Sequence, residues 1–212
     1  MVTTVAVVDY GMGNLRSVAK ALEHVAPEAQ VRVTSDPADL RKVQRVVVPG
    51  QGAMPDCMAE LERRGLREAV ILAAQEKPFL GICIGQQMLF ERSEEGATAG
   101  LAVFSGEVRR FPAALADAAG MRLKVPHMGW NEVRQQAPHA LWDGIADGSR
   151  FYFVHSYYVA PRDAALAIGM TEYGIPFTSA VGRDNIFAVQ FHPEKSAQAG
   201  LRLLDNFMRW NP

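Results

Sequence analysis

The chain has 212 residues, of which 49 % are hydrophobic and 21 % charged, and its formal net charge is −1. A chain of this length buries roughly 70 % of the surface that it exposes when unfolded, so a full core forms without disulfide or metal support. The near-zero net charge argues against a polyanionic partner such as nucleic acid or an anionic membrane.

No segment has the pattern of a membrane anchor or a signal peptide. The longest apolar runs, VTTVAVV and RVVVP, are of strand length, and a membrane-spanning helix needs about 20 apolar residues. Two cysteines, Cys57 and Cys83, are expected to be free thiols in a reducing, cytoplasmic setting. Because no repeat, low-complexity segment or linker interrupts the pattern, we expect one domain over residues 1–212.

The N-terminal half alternates between apolar strand patterns and amphipathic helix patterns. In chain order the predicted elements are strand TVAVVDY, helix LRSVAKALEHV, strands AQVRVTS and RVVVPG, helix CMAELERRGLREAVILAAQEK with a break or bend near Gly65, strand PFLGIC and helix GQQMLFERS. Continuous apolar strands between helices are typical of a parallel sheet that is covered on both faces. The sequence therefore predicts an α/β fold.

After Gly100 the helix patterns give way to closely spaced strand patterns joined by Gly, Pro and Asp turns. The predicted strands are GEVRRF, GWNEVRQ, RFYFVHSYYV, ALAIGMTEY, PFTSAVGR and NIFAVQFHPE, and the last helix is AGLRLLDNFMRW. Such spacing predicts antiparallel additions to the sheet.

Cys83 lies between two glycines, in GICIG, where an apolar strand meets a helix pattern. Gly81 and Gly85 remove side chains that would block a sharp turn, as in a nucleophile elbow. The helix that follows directs its N-terminal amides at the thiol and favours the thiolate, and the Ile84 amide is placed to stabilise an oxyanion. A small buried cysteine in a tight turn explains this segment equally well. Cys57, inside the helix pattern AMPDCMAEL, is interpreted as structural.

A thiol nucleophile in acyl transfer needs a base that a third group orients. Of the five histidines, His155 and His192 follow strand patterns and so fall where open α/β sheets place their sites. Glu194 shares a face of extended backbone with His192, and Pro193 favours that backbone. An ordinary His–Glu contact and a pair of metal ligands are the alternatives, although no third ligand has an obvious spacing. His155 is interpreted as part of the polar rim of the same pocket.

The segment VVVPGQGAMPD runs from a buried strand into a loop with two glycines, Gly50 and Gly52. Such a loop can present N–H groups to an anion, but a plain strand-terminating turn explains it better when it is taken alone. DYGMGN, after the first strand, lacks the third glycine of a dinucleotide fingerprint, so no nucleotide cofactor is predicted.

Taken in order, PGQGA, GICIGQQMLF and FHPE resemble the class I (triad) glutamine amidotransferases over nearly the whole chain. More narrowly, DYGMGNLRSV, KVPHMGWN, FYFVHSYY and QFHPEKS resemble the glutaminase subunits of imidazole glycerol phosphate synthases, enzymes of histidine biosynthesis. The resemblance implies a flavodoxin-like α/β fold. Its sheet would be mixed and mostly parallel, flanked by helices, with additional antiparallel strands in the C-terminal half and no cofactor.

The resemblance also implies a role for each matching residue. Cys83 would attack the carboxamide of L-glutamine and form a γ-glutamyl thioester, with His192 as general base and acid and Glu194 as its orienter. The residues that would hold the substrate are Gly52, Gln87, Glu95, His155, Ser156 and Tyr157, with Glu95 on the ammonium group. The oxyanion hole would come from the Gly50–Gln51 peptide and the Ile84 amide.

Position 51 is often a small apolar residue in this family and is Gln51 here. Because the implied role belongs to the backbone N–H, the change bears on how the loop moves rather than on the mechanism. In the family this amide is thought to point away until the partner is bound, which implies latent glutaminase activity in the isolated chain.

The implied partner is a cyclase subunit, a (β/α)₈ barrel, in a heterodimer that uses the ammonia to make imidazole glycerol phosphate and AICAR. The residues predicted to face it are Asn14, Met128, Trp130, Tyr152 and Lys195. Two alternatives stay open: a glutaminase that serves another synthase, such as that of vitamin B6 synthesis, and a catalytically silent binding module. The presence of the whole predicted triad opposes the silent module, and PHMGWN opposes the other synthase through resemblance alone.

Overall fold

The computed structural model describes residues 2–212. The helices are α1 (Leu15–Val25), α2 (Pro37–Lys42), α3 (Met54–Arg63), α4 (Arg67–Glu76), α5 (Ile84–Gln87) and α6 (Ala197–Arg209). The strands are β1 (Thr4–Val8), β2 (Gln30–Thr34), β3 (Arg45–Gly50), β4 (Phe79–Cys83), β5 (Phe90–Ser93), β6 (Thr98–Ala99), β7 (Phe104–Arg110), β8 (His127–Glu132), β9 (Arg134–Gln135), β10 (Arg150–His155), β11 (Tyr157–Pro161), β12 (Ala167–Glu172), β13 (Pro176–Arg183) and β14 (Ile186–Val189). Short 3₁₀ turns lie at Glu95–Ala97, Ala140–Trp142, Ala164–Leu166 and Pro193–Lys195.

One half of the main sheet is parallel, with the spatial order β2, β1, β3, β4, β14. The four strands inside the edge strand β2 are almost wholly buried, which is why their sequences are continuous apolar runs rather than alternations. Helix α1 packs against α6, and α2 packs against α4. The predicted α/β fold is confirmed, and the helix break predicted near Gly65 separates α3 from α4.

The other half of the main sheet is mostly antiparallel. β14, β13, β11 and β7 follow one another in antiparallel pairs, β12 pairs with β13 and β9, and β5 runs parallel to β7 near the far edge. β8 and β10 form a separate two-stranded antiparallel sheet. The predicted antiparallel additions are therefore confirmed. No helix within residues 2–212 is long and apolar enough to cross a bilayer.

Three predicted elements are wrong. GWNEVRQ was expected to be one strand, but it is divided at Val133 between β8 of the two-stranded sheet and β9 of the main sheet. GQQMLFERS was expected to be one helix, but the helix ends at Gln87 and a strand follows, because Phe90 is fully buried and pairs with Phe104. RFYFVHSYYV was expected to be one strand, but it breaks at Ser156, where the chain crosses from the two-stranded sheet to the main sheet. Apolar residues continue on both sides of Ser156, so periodicity gives no sign of the break.

Candidate functional site

Three neighbouring parallel strands end at one edge of the sheet and bring distant parts of the chain together. Gly50 and Cys83 are paired across β3 and β4, and β14 lies next to β4 and ends at Val189. His192 stands three residues beyond the end of β14. Because ligands of open α/β sheets bind outside the carboxyl ends of the strands, this edge is the place to look for a site.

Cys83 occupies a strained corner between β4 and α5. Its backbone has φ 56° and ψ −110°, a region that residues with side chains rarely adopt, and α5 begins at the next residue. A Cβ on Gly85 would collide with the carbonyl oxygen of Val48 in β3. Glycine is required there because the helix lies directly against the neighbouring strand. The glycine pattern thus corresponds to a strand-to-helix corner with the cysteine at its tip.

His192 and Glu194 form a buried pair beside this corner. Nδ1 of His192 lies 2.9 Å from Oε1 of Glu194, and the two side chains are 3 % and 1 % exposed. The expected extended backbone is wrong, because Pro193 begins a 3₁₀ turn and the pair forms across that turn. The Ser196 hydroxyl donates to the His192 carbonyl at 2.6 Å and accepts from the Tyr152 amide at 2.9 Å. The histidine backbone is therefore held from two sides.

The two candidate histidines differ in charge. Burial alone lowers the pKa of His192, but the Cys83 sulfur and the Glu194 carboxylate favour the imidazolium and raise that pKa to about 10. Burial lowers the pKa of His155 to about 3, so this ring stays neutral near pH 7. Nε2 of His192 has no hydrogen-bond partner among residues 2–212 and is free to exchange a proton. His192 therefore has the properties of an acid and base, and His155 does not.

A pocket of about 230 Å³ opens beside Cys83. His192, Ile84 and Gln51 line it, together with all the residues predicted to hold glutamine. The Glu95 carboxylate in this lining accepts a hydrogen bond of 2.8 Å from the amide of Met54, the first residue of α3. Cys83, His192 and the predicted substrate residues thus surround one cavity, and Glu194 reaches it only through His192. No group of three or more His, Cys, Asp and Glu side chains in the described part of the chain could hold a metal ion.

Buried side chains hold the loop that follows β3 through hydrogen bonds to its backbone. Gly50 lies behind the pocket lining, where a Cβ would collide with Ile84, and Gly52 has a φ of 106°. The buried Tyr10 hydroxyl donates to the Pro49 carbonyl at 2.7 Å. The Cys57 thiol donates to the Gln51 carbonyl at 3.6 Å, and burial raises the pKa of Cys57 to about 11, so this thiol stays protonated. Cys57 therefore acts as a structural donor to the loop.

Two residues of the site were missed by sequence reasoning. Tyr10 lies in DYGMGN, whose glycines alone were compared with a known motif, the dinucleotide fingerprint. Gln190 is fully buried, with its Nε2 3.6 Å from Cys83 Sγ and its Oε1 accepting from Gln87 Nε2 at 3.0 Å. For Gln190 the sequence shows only a polar residue directly after the apolar run IFAV, and neither its burial nor its contact with Cys83 can be read from that pattern.

A pair of buried histidines lies behind the pocket. His127 begins β8, and its Nδ1 lies 2.9 Å from Nε2 of His155. Nδ1 of His155 lies 2.8 Å from the Tyr157 carbonyl, which can only accept, so the proton sits on that nitrogen and Nε2 accepts from His127. Burial lowers the pKa of His127 to about 4. Both rings are neutral near pH 7, with fixed tautomers.

An exposed apolar surface adjoins the pocket, and we call it the hairpin face: Met128, Trp130, Tyr152 and Val154. Met128 and Trp130 are 63 % and 44 % exposed, and the Trp130 and Tyr152 rings pack edge to face at 6.2 Å. Val154 pairs with Met128 and also lines the pocket. The other two predicted interface residues, Asn14 and Lys195, are half-buried near the carboxyl edge of the sheet.

A comparison with known protein families matches nearly the whole chain to one of them. The family described as "Glutamine amidotransferase class-I" matches residues 6–210. The "Imidazole glycerol phosphate synthase subunit HisH" of Dechloromonas aromatica is 70 % identical over 210 residues, which cover 99 % of this chain and 97 % of the relative. The protein of the same description from Aromatoleum aromaticum is 68 % identical over 209 residues, which cover 98 % and 99 %.

Solved structures show the same fold at much lower identity. The structure of PurLQS from Thermotoga maritima has a TM-score of 0.72 at 17 % identity and covers 99 % of both chains. A structure described as a glutamine amidotransferase has a TM-score of 0.70 at 18 % identity and covers 97 % of both chains. With the sequence match across nearly its whole length, the chain belongs to the class-I glutamine amidotransferase family.

Proposed function

We propose that the chain is the glutaminase subunit of an imidazole glycerol phosphate synthase and works in cytoplasmic histidine biosynthesis as one domain over residues 1–212. The full-length similarity to relatives of that description supports the assignment. The observation that carries the chemistry is the buried His192–Glu194 pair beside the Cys83 corner.

Acylation begins with attack of the Cys83 sulfur on the side-chain carboxamide carbon of glutamine. The carbonyl oxygen becomes an oxyanion, which accepts hydrogen bonds from the Ile84 amide and the N–H of the Gly50–Gln51 peptide. The carbon–nitrogen bond then breaks, and the leaving nitrogen takes a proton from Nε2 of His192. The products of this half-reaction are ammonia and a γ-glutamyl thioester on Cys83.

Deacylation uses the same groups, but His192 now acts first as a base rather than as an acid. The imidazole of His192, now neutral, takes a proton from a water molecule as its oxygen attacks the thioester carbon. The carbon–sulfur bond breaks, and the sulfur leaves as thiolate beside the regenerated imidazolium. Glu194 keeps Nδ1 of His192 protonated throughout, so that Nε2 is always the nitrogen that exchanges protons.

Substrate recognition is assigned to charges and dipoles in the pocket wall. The Glu95 carboxylate, held by the α3 amide, pairs with the ammonium group of glutamine. Gln87 directs its Nε2 at the Tyr157 carbonyl and at Gln190. Its buried Oε1 has no hydrogen-bond partner among residues 2–212 and accepts from an N–H of the substrate. Gly52 and the backbone of His155 to Tyr157 complete the assigned binding surface.

The partner in this proposal is a cyclase subunit, a (β/α)₈ barrel, bound as a heterodimer over the hairpin face, Asn14 and Lys195. An exposed apolar surface next to a catalytic pocket is typical of a protein interface. Ammonia released into water near pH 7 would become ammonium, a poor nucleophile, so a closed interface keeps the product reactive.

Glutamate release from glutamine tests the assignment. The chain is assayed alone, with a cyclase subunit, and with that subunit and its nucleotide substrate. We expect low activity from the chain alone and a strong increase in the ternary mixture. No glutamate in any mixture contradicts the catalytic assignment. Activation by a synthase subunit that is not a cyclase barrel contradicts only the pathway.

A further inference from the structure

The buried side chain of Gln190 contacts the Cys83 sulfur. It follows β14 directly and its side chain is completely buried, and its backbone N–H is already used by the Ser179 carbonyl at 2.9 Å. Nε2 lies 3.6 Å from Sγ of Cys83, within hydrogen-bond reach of a sulfur atom. The side-chain amide is therefore not needed to pair the strand, and its contact with the thiol requires another explanation.

The orientation of this amide is fixed by a chain of hydrogen bonds that ends on a backbone carbonyl. The Tyr157 carbonyl can only accept, and the Gln87 side chain contacts it at 3.2 Å, so the NH₂ group of Gln87 must face it. The same NH₂ group lies 3.0 Å from Gln190, which must therefore present its oxygen. This leaves the Gln190 NH₂ group directed at the sulfur.

A fixed N–H donor stabilises a sulfur that carries negative charge more than a neutral thiol. It also restricts where the sulfur can lie, and attack on a carbonyl carbon depends on that position. We propose that Gln190 is a positioning residue, which holds the Cys83 sulfur as thiolate in its attacking position, with Gln87 and Tyr157 fixing its orientation. This inference rests on the proposed role of Cys83 as the nucleophile.

Gln86, in α5, provides a matched comparison with Gln190. It is as completely buried as Gln190, and its Nε2 also donates a hydrogen bond, but to the Ala188 carbonyl at 3.1 Å rather than to the sulfur. A substitution at Gln86 therefore removes a buried amide of the same size without removing a donor from Cys83. Any effect confined to Gln190 reports the contact with sulfur and not the loss of a buried amide.

The test measures how fast iodoacetamide alkylates Cys83 in the isolated chain as a function of pH, with the modified cysteine identified by peptide mass. Only the thiolate reacts, so the pH of half-maximal rate reports how strongly the thiolate is stabilised. His192, Tyr10 and Cys57 are the titratable groups that interact with this sulfur, and Glu95 lines its pocket. The variants leave all of these in place.

For Gln190→Met, of similar length and without a donor, we expect the half-maximal pH to rise by about one unit. Gln190→Leu removes the donor with a second apolar side chain, so its half-maximal pH should rise by a similar amount. The control Gln86→Met should keep the wild-type value. Circular dichroism confirms that each variant is folded, and Gln190→Leu answers the question if Gln190→Met does not fold.

An unchanged half-maximal pH in either folded Gln190 variant overturns the inference, and so does an equal rise in Gln86→Met. Failure of the proposed function has a different signature: in the wild-type chain, Cys83 would react no faster at pH 7 than the buried Cys57. A reactive wild-type Cys83 together with an insensitive Gln190 leaves the nucleophile in place and removes only its positioning residue.

Discussion

The carboxyl edge of the parallel strands and the hairpin face lie next to each other, but the edge holds buried, fixed side chains and the hairpin face exposes apolar ones. At the edge, Cys83 and His192 are buried and held in place, the first by a strained corner and the second by Glu194 and Ser196. On the hairpin face, β8 exposes Met128 and Trp130 to solvent. The candidate nucleophile and base are thus held by contacts within the chain, whereas the exposed apolar surface is of the kind that proteins use for association.

This comparison leads to a simple expectation. Changes at the edge should remove chemistry and leave association intact, and changes on the hairpin face should do the reverse. The experiments below test that separation, beginning with the largest expected effect.

Replacing Cys83 by alanine should lower glutamate release by the activated complex by at least about 10⁴-fold, because the covalent route is lost. Binding to the cyclase subunit should be unchanged. The control Cys57→Ser removes the other thiol but retains a donor for the Gln51 carbonyl, and should stay within about threefold of wild type, as most substitutions that keep a contact do. Undiminished glutamate release from the Cys83→Ala chain would contradict the assigned nucleophile.

Glu194→Gln should reduce kcat by about 10²- to 10⁴-fold. The carboxylate that fixes the tautomer of His192 and stabilises its imidazolium form is replaced by a neutral amide, which does neither as well. The pKa of His192 should also fall, since one of the groups that raise it is removed. Nuclear magnetic resonance titration of the His192 ring checks the pKa, and steady-state kinetics of the complex checks kcat. A kcat close to wild type would mean that the buried pair is only structural.

Trp130→Ala should weaken binding to the cyclase subunit by about 2 kcal/mol, roughly thirtyfold in Kd, as expected for an aromatic anchor at an interface. Alkylation of Cys83 in the isolated chain should not change. Leu72→Ala is the control, since Leu72 is 46 % exposed on α4, away from the hairpin face. Equal weakening by both substitutions would contradict the assignment of the interface.

The free energy of unfolding of the isolated chain should fall as pH is lowered below about 6.5, the ordinary pKa of histidine in an unfolded chain. The folded-state pKa values of His127 and His139 are about 4 and that of His155 is about 3, so between these values and about 6.5 the unfolded chain binds more protons at all three rings. Each ring should contribute a loss of about 1 kcal/mol per pH unit in this range. Urea unfolding between these pH values checks the slope.

His127→Gln removes one of these titrating rings and should make that slope shallower. A free energy of unfolding that does not change between pH 7 and pH 5 would contradict the burial of these neutral histidines. This is the smallest expected effect, and it concerns the packing behind the hairpin face rather than the chemistry at the edge.

The parallel half of the fold could be predicted from the sequence because strands buried on both faces are continuous apolar runs, as in RVVVPG and PFLGIC. The predicted elements were wrong where one apolar run in the sequence forms two separate elements in the structure. Nothing in GQQMLFERS shows that Phe90 leaves the helix to pair with Phe104, because that pairing is a tertiary contact. The break at Ser156 is likewise set by which sheet each side of it joins.

The same limit applies to the site. Cys83, His192 and Glu194 belong to short motifs with a local signature, and could be selected from the sequence. Gln190 and Tyr10 contact the site through partners that lie far away in the chain, Cys83 and Pro49 respectively. Their roles depend on which strands lie side by side, and that information is only in the fold.

The crossover at Ser156 gives one backbone atom an unusual position. The Tyr157 carbonyl oxygen has two lone pairs, and both are occupied, one by Nδ1 of His155 and one by Nε2 of Gln87. One of these bonds belongs to the buried histidines beneath the hairpin face, and the other to the amides that lead to the sulfur. A shift of the crossover by a few tenths of an ångström would change both bond lengths at once. The Tyr157 carbonyl oxygen therefore connects the buried histidines beneath the hairpin face to the amides that contact the Cys83 sulfur.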